Sequence, residues 1–361
     1  MWGISGNDEA KEQNQVAHIE DSSIRSVRHF QRGLVVVGVV TIAFGGVLSA
    51  CGINSANSSS PASSYPTKPI NLIVPYPAGS NPDVHARALA TVLSKQLGQP
   101  INVIDQPGGS GEIGTSNVIR ALPNGYTIGF ESAPVLVINP QVTKGVIKGP
   151  SSITPIARID ASPLILFASS TSGITSVADL VKSAQAQPGK IKVAVGFSTD
   201  TFSMATERIE SKANVSFNVV PVGTGNQILS VLNGTASVGW ITPSLALPYI
   251  KSGKIRPLAV VAPKALAGIN APTLPSIGYN VTVSNTADFE FLFAPPKTPG
   301  SIVAKLATAA KRATSQTSYV SFMTKSDNII LYLGPGAFKT DLKSLFTELT
   351  PIVKKLSKKL S

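Results

Sequence analysis

Cysteine is almost absent from this chain: Cys51 is the only one in 361 residues. No intrachain disulfide can form, and a thiolate cage for zinc is excluded. Histidine is nearly as scarce, with His18, His29 and His85 alone. Two of these precede Cys51, so removal of residues 1–50 would leave His85 as the sole imidazole. That is little material for a histidine-based triad or a histidine-rich metal site. Aromatic residues make up 6% of the chain and charged residues 14%. Yet 43% of it is hydrophobic, in regular patterns, which excludes disorder. The length suits two ordinary domains.

One long apolar run is present. Residues 33–50, GLVVVGVVTIAFGGVLSA, carry no charge and follow Arg25, Arg28 and Arg32. A basic segment before an apolar one is the order of a secretory signal. As a plain transmembrane anchor, the other reading, the run would be short. It ends in Leu48-Ser49-Ala50-Cys51. This is similar to a bacterial lipobox, in which a cysteine behind small residues is acylated and becomes the new N-terminus. Each acyl CH₂ buried in a membrane contributes about 0.8 kcal/mol. Cys51 is therefore the expected lipidation site. Residues 1–50 read as a lipoprotein signal with a long polar leader, and residues 51–67, rich in Ser, Asn and Pro, as a tether.

The formal charge is +12. Without residues 1–50, 27 basic residues face 14 acidic ones, and residues 297–361 hold 11 of the basic and 3 of the acidic. In the tail 347–361 apolar residues fall at helical spacing between lysines, the pattern of a solvated helix face. Attraction to an anionic membrane is the alternative. Aromatics are not interleaved in the basic segments, which argues against a nucleic-acid partner.

From Pro69 the chain alternates short apolar runs with helical patterns. Strands are expected at 70–74, 101–104, 126–130, 192–195, 217–220 and 236–240, with 291–294 a further candidate. A helix should run from 81 to 97, with Pro82 and Asp83 in its first turn and Gly98 at its end. Others should follow the loops at 108–114, 196–200 and 223–226 and Pro243. The pattern implies an α/β protein with largely parallel sheets covered by helices. The expected division is one α/β domain from 68–165 plus 285–361 and a second from 166–284.

In open α/β sheets ligands bind beyond the C-terminal ends of strands. Three loops rich in Gly, Ser, Thr or Asn stand there: 75–83, 107–114 and 196–201. Helix N-termini behind them offer unpaired N–H groups to an anion such as a carboxylate. Gly109-x-Gly111-x-x-Gly114 is no Walker loop, because Gly-Lys-Ser/Thr is missing, and it does not follow the first strand as a dinucleotide fingerprint does. Tight turns are the ordinary alternative for these glycines.

A family resemblance emerges from the loops in order. Its first element is Pro75-Tyr76-Pro77-Ala78-Gly79 with Asp83 and Ala86-Arg87. Then come Leu97-Gly98-Gln99-Pro100, Pro107 to Gly114, and Pro123-Asn124-Gly125-Tyr126-Thr127. Gln187-Pro188-Gly189-Lys190, Leu232-Asn233-Gly234, Pro248 to Val260, Ala271 to Pro275 and Ala294 to Pro299 complete the series. Over about 65–361 the chain resembles the receptors of tripartite tricarboxylate transporters, the TctC or Bug family. The resemblance implies a two-lobed, type II periplasmic-binding-protein fold with a ligand cleft between its domains. It implies capture of a small organic carboxylate, delivery to a membrane permease, no cofactor, no metal and no catalytic residues. By the same resemblance the ligand is gripped by Tyr76, Ala78, Gly79, Ser80 and Asp83, by Gly109, Ser110 and Gly111, and by Ser198, Thr199, Asp200, Thr201 and Ser203. A lipid-anchored, extracytoplasmic location follows, on a periplasmic face or an outer surface. A ligand-binding sensor signalling to a membrane partner is the first alternative, and a secreted hydrolase the second.

The chain also departs from the family pattern. Gly79-Ser80 stands where a double glycine is usual, and Asp105-Gln106 replaces an asparagine and an arginine. The third loop, Phe197 to Met204, lacks the usual histidine and brings in Asp200. Beside an anion site Asp200 would repel a second ligand carboxylate. It would then favour a ligand with an amino group or an uncharged far end, unless it is simply a helix N-cap. Asp83 has a similar alternative as a first-turn acid favoured by the helix dipole. His85 is expected on a helix surface. Tyr76 and Trp240 are each open to a cleft or a core placement.

Overall fold

The computed structural model describes residues 64–223 and 225–358. Cys51, the signal and most of the tether lie outside the described residues, as does Thr224.

The chain opens with β1 (Ile70–Val74), α1 (Asn81–Leu97), β2 (Ile101–Asp105), α2 (Glu112–Arg120), β3 (Thr127–Ser132), α3 (Pro134–Val137) and α4 (Asn139–Val142). It continues through β4 (Thr154–Ala161), β5 (Leu164–Ser169), α5 (Val177–Ala186), β6 (Lys192–Val195), α6 (Thr201–Ala213), β7 (Asn218–Pro221), α7 (Gln227–Leu232), β8 (Val238–Ile241), α8 (Pro243–Lys251) and β9 (Ile255–Val261). It closes with β10 (Phe289–Ala294), α9 (Gly300–Thr314), α10 (Thr317–Lys325), β11 (Ile329–Leu333) and α11 (Pro335–Lys358). Local chemistry sets several boundaries. Helix α1 has Pro82 where its missing N–H costs nothing, Asp83 in its first turn, and a left-handed Gly98 whose N–H donates to Ser94 O.

Two sheets result, each the centre of a lobe. The first has the order β11-β4-β10-β3-β1-β2 and the second β7-β6-β8-β5-β9. The expectation of largely parallel sheets is corrected. β1 is parallel to β2 and β3, and β6 to β7 and β8, but β10 runs antiparallel to β3 and β4, and β5 antiparallel to β8 and β9. Parallel order is imposed only on strands joined by a crossover. β4 and β5 are instead separated by Ser162 and Pro163 alone, so the chain steps straight from one sheet into the other. It returns ahead of β10, which lies between β3 and β4.

Phe291 and Phe338 pack at 5.3 Å between centroids, with Phe289 and Phe293 beside them, in the core of the first lobe. Trp240 is fully buried in the second, its Nε1–H donating to Thr206 Oγ1 at 2.8 Å, so it is a core residue. Large side chains buried this way each contribute about 1.5–3 kcal/mol. The apolar face of α11, from Phe338 to Leu356, is buried while its lysines project outward, as a solvated face requires. Among the described residues no helix is long and apolar enough to cross a membrane.

Candidate functional site

The first loop follows β1. Its turn places Gly79 at φ +81°, and the Gly79 N–H donates to Asp83 Oδ2 at 2.7 Å. Asp83 is buried, and its other oxygen lies 2.6 Å from Arg87 Nε. Arg87 in turn reaches Asp105 Oδ2 at 2.5 Å. Asp83 thus ties the loop to its own helix, as a first-turn acid does. Ala78 and Gly79 are exposed, while Ser80 Oγ is shielded from water with no hydrogen-bond partner. The Tyr76 hydroxyl points inward and donates to Glu131 Oε1 at 2.5 Å.

The second loop is a tight turn over Gly109–Gly111, just ahead of α2. Ser110 adopts the left-handed conformation at φ 52°, and Gly111 stands at φ +93°. A side chain at 111 would meet Val135 Cγ2 at 2.9 Å and Glu131 Oε2 at 3.3 Å, so glycine alone fits. The two loops therefore share one support, Glu131, near the end of β3. Its carboxylate is fully buried and accepts from Tyr76, from the Thr115 hydroxyl and from the Ser132 N–H. Burial raises its pKa to about 7, and these three bonds offset only part of that effect. Sequence reading missed Glu131. The available signal was an acid directly behind Phe130, at the end of the expected strand 126–130, where a buried unpaired charge is costly.

The third loop leads into α6. Asp200 is the N-cap: Oδ1 accepts from the Ser203 N–H and Oδ2 from the Phe197 N–H, both at 2.8 Å. Burial nonetheless pushes its pKa up against those bonds. The Ser203 hydroxyl is also engaged, donating to Phe197 O at 2.8 Å. Asp200 and Ser203 are thus committed to shaping the loop, and Ser198, Thr199 and Thr201 remain half-buried around it.

A cavity of about 410 Å³ opens between the second and third loops. Gly109, Ser110 and Asn139 of the first lobe and Thr199 of the second line it, with Val135, Pro140, Val142 and Ile147 supplying apolar wall. Of the residues expected to hold ligand, Gly109, Ser110 and Thr199 come together here. Gly111 packs behind them against Glu131. Tyr76, Ala78, Gly79, Ser80 and Asp83 are not among the walls, nor are Ser198, Asp200, Thr201 and Ser203.

His85 is not on a surface; it is 2% exposed, a correction to the expectation. It lies on the inner face of α1, which also buries Ala86, Leu89, Val92 and Leu93. Its Nδ1 stands 2.6 Å from Glu290 Oε2 and 3.8 Å from Asp160 Oδ2, and its Nε2 stands 2.9 Å from Asn328 Nδ2. Tyr319 donates to the same Asp160 oxygen at 3.1 Å. Burial tends to lower the imidazole pKa, but the adjoining Glu290 and Asp160 raise it, while burial, reinforced by Asp160, raises Glu290, so the two groups titrate as one pair. The three ligand-type atoms of His85, Asp160 and Glu290 lie within 4.8 Å of one another, a spacing open to a metal ion. Both imidazole nitrogens already have partners, however. Asn328 is fixed by Ser162 Oγ–H on its Oδ1 at 2.8 Å and by Ser326 O on its Nδ2 at 3.0 Å. The cluster is a hydrogen-bonded network beside the Ser162–Pro163 crossing.

Residues 85–334 match the family described as tripartite tricarboxylate transporter family receptor. Protein BugT of Bordetella pertussis is 29% identical over 225 residues, 60% of this chain and 68% of that protein. A TctC solute-binding protein from Polaromonas, solved without ligand, superposes with a TM-score of 0.70 at 27% identity, covering 82% of this chain and 99% of that one. An R. palustris protein solved with adipate gives a TM-score of 0.65 at 24% identity, over 81% and 98% of the two chains. The two-lobed α/β architecture is that of type II periplasmic solute-binding proteins, and the chain belongs to the TctC family of tripartite tricarboxylate transporter receptors.

Proposed function

We propose that this chain captures a small organic carboxylate in the cavity between its lobes and delivers it to a membrane permease of the tripartite type. One observation carries the reading. The Gly109–Ser110 turn of one lobe and Thr199 of the other face a single cavity whose lining holds no lysine, arginine or histidine. Backbone N–H groups and hydroxyls can hold a carboxylate without a cation. Adipate bound in the R. palustris structure agrees with this ligand class. A cavity walled by both lobes also gives a ligand a means of holding them together, and a permease can distinguish that state from the empty one. We further propose that Cys51 is acylated after cleavage behind Ala50 and anchors the protein outside the cytoplasm. The domain division at 165/166 and 284/285 belongs to the same reading; the first position lies within β5, just past the Ser162–Pro163 crossing, and the second in the connection from β9 to β10.

The test is calorimetric titration of the full chain with short carboxylates, together with native mass spectrometry of protein from its own host. Saturable binding of one carboxylate is expected, weakened about tenfold in Thr199→Val, which removes one hydroxyl at constant volume. Unchanged affinity in that variant would move the ligand elsewhere. Cys51→Ala should shift the protein from the membrane to the soluble fraction.

A further inference from the structure

We infer that the end of the first lobe remote from the cavity docks on the surface of an anionic membrane. The inference rests on the anchor at Cys51 proposed above and goes beyond it. Strands β1 to β4 all point the same way, because β10 runs antiparallel to both β3 and β4. One end of the sheet therefore gathers the first residues of these strands with the last of β10. The other gathers their last residues and the loops of the cavity. Charge is sorted between the two ends. Asp83 and Glu112 open the helices that follow β1 and β2, and Asp105 ends β2. Glu131, Asp160 and Glu290 sit toward the cavity ends of β3, β4 and β10, and Asp288 and Asp327 lead into β10 and β11 at that same end. The far end carries cations instead. Lys68 precedes β1, Lys95 lies in the last turn of α1, Arg120 ends α2 and Lys297 follows β10. Lys305 stands early in α9, and Lys339 and Lys343 early in α11. All are exposed, and none has an ion-pair partner among the described residues. Asp341, between the two α11 lysines in sequence, is neutralised by Arg158 at 3.0 Å.

Packing holds these segments together. The Tyr65 hydroxyl donates to Gly125 O at 2.7 Å, and Lys68 Nζ stands 4.7 Å over the Tyr126 ring. Gly125 lies tight against the first turn of α9, where a Cβ would meet Ile302 Cγ2 at 2.5 Å. Lys305 and Arg312 border a hollow with Gln96 and Leu97 at the end of α1. Lys339 and Lys343 border another with Pro150 and Ile153, at the start of β4. An apolar side chain marks the same end. Leu122, two residues beyond Arg120 and ahead of the Gly125 turn, is 73% exposed, more than any other large apolar side chain among the described residues. A leucine left in water beside unpaired lysines suits the boundary of acyl chains and anionic headgroups. The tether joins the lobe at this end. Thirteen residues separate Cys51 from Ser64 in sequence, a reach of at most about 45 Å. Each lysine brought to an anionic surface favours the docked state about fivefold, and screening confines the effect to the end that touches lipid. Docked in this way, the receptor turns its cavity away from the bilayer toward incoming ligand, and transfer to a permease requires release from the lipid.

The experiment is lysine labelling of the protein purified from its own host and held in lipid nanodiscs. The discs contain phosphatidylcholine alone or with about one third phosphatidylglycerol. A small amine-reactive reagent is added, and labelling at each lysine is read by mass spectrometry. Lys68, Lys297 and Lys339 should label at least about fivefold more slowly on the anionic discs. Lys190 and Lys212, exposed on the second lobe, should label at one rate on both. Salt at about 0.5 M should erase the difference. Lys297→Glu combined with Lys339→Glu, both at exposed sites, should restore fast labelling of Lys68 on anionic discs, and Leu122→Ser should restore it in part. Equal labelling of Lys68, Lys297 and Lys339 on the two kinds of disc would overturn the docking, leave the anchor standing and turn the search for their partner to an acidic protein surface. Protein without an acyl group on Cys51 would overturn the anchor, and the docking with it.

Discussion

The first sheet carries three buried acids on its strands, Glu131 on β3, Asp160 on β4 and Glu290 on β10, whereas the strands of the second carry none among the described residues. The buried acids of the second lobe, Glu207 and Glu210, sit on helix α6. The lobes also shape their loops differently. In the first, the loop after β1 and the first turn of α2 are fastened to one buried carboxylate, Glu131, through Tyr76 and Thr115. In the second, the loop before α6 is closed by its own residues through Asp200 and Ser203. A long-range support in low dielectric is costly to break and sensitive to protonation, and a local cap is neither.

Glu131→Ala should therefore show the largest effect. It strands the Tyr76 and Thr115 hydroxyls and the Ser132 N–H in a dry site. We expect a loss of about 3 kcal/mol in denaturant unfolding at pH 6, with weakened ligand binding. A loss no larger than that of a cap residue would erase the contrast between the lobes. Glu131 also predicts a pH dependence. Its folded pKa, about 7, lies above its ordinary value of 4.5, so the folded state holds the extra proton. That contribution is complete below about pH 4.5 and is lost as pH rises through 7. It amounts to about 3 kcal/mol for a shift of this size. Stability should fall between pH 5 and 8. Glu131→Gln, uncharged throughout, should flatten that part of the profile, and an unchanged slope would show that Glu131 does not carry it.

The second lobe should respond less. Asp200→Ala removes a cap that closes two N–H bonds, at a cost of about 1 kcal/mol. Asp200→Asn keeps the bond from the Ser203 N–H but sets an amide NH₂ against the Phe197 N–H, so it should cost about as much as Asp200→Ala. If Asp200 instead contacted ligand, Asn would in addition change relative affinity for a dicarboxylate and its amino-acid counterpart. Unchanged relative affinity is expected.

Much of this contrast was legible in the sequence, but unevenly. Segments with period, cap and breaker all in agreement were read closely: β1, α1 from Asn81 to Gly98, and β6 through α6. The Asp200 cap was readable because its partners lie within three residues. The stretch from β4 to α5 was not read. β5 is a nearly continuous apolar run and β4 is broken by Arg158 and Asp160, with only Ser162–Pro163 between them, and the antiparallel entry of such a passage has no local signature. Glu131 and His85 were missed for the same reason. Their partners, Tyr76 for one and Glu290 and Asn328 for the other, stand 55, 205 and 243 residues away. A local pattern can show that an acid or an imidazole interrupts an apolar face. It cannot show which distant group will neutralise it.

The smallest effect is expected where the lobes are tied at the surface. Helix α11 packs on β4 and extends to α6, where Glu348 meets Arg208 at 2.9 Å and Lys355 meets Glu207 at 2.5 Å. The Lys355 pair uses one positive charge of the C-terminal segment, whereas the Glu348 pair uses one of its three acids. Glu348 is half exposed, so water and salt screen its charge. Arg208 also donates from Nε and Nη2 to Asn285 O, at 3.0 and 2.7 Å, on the segment leading into the second crossing. The guanidinium therefore stays docked when Glu348 is lost. Glu348→Gln should shift unfolding by no more than about 0.5 kcal/mol, and 0.5 M salt should abolish even that. A loss near that of Glu131→Ala would mean that the lobes depend on α11 more than on their crossing strands, and the contrast would then lie between strut and sheet.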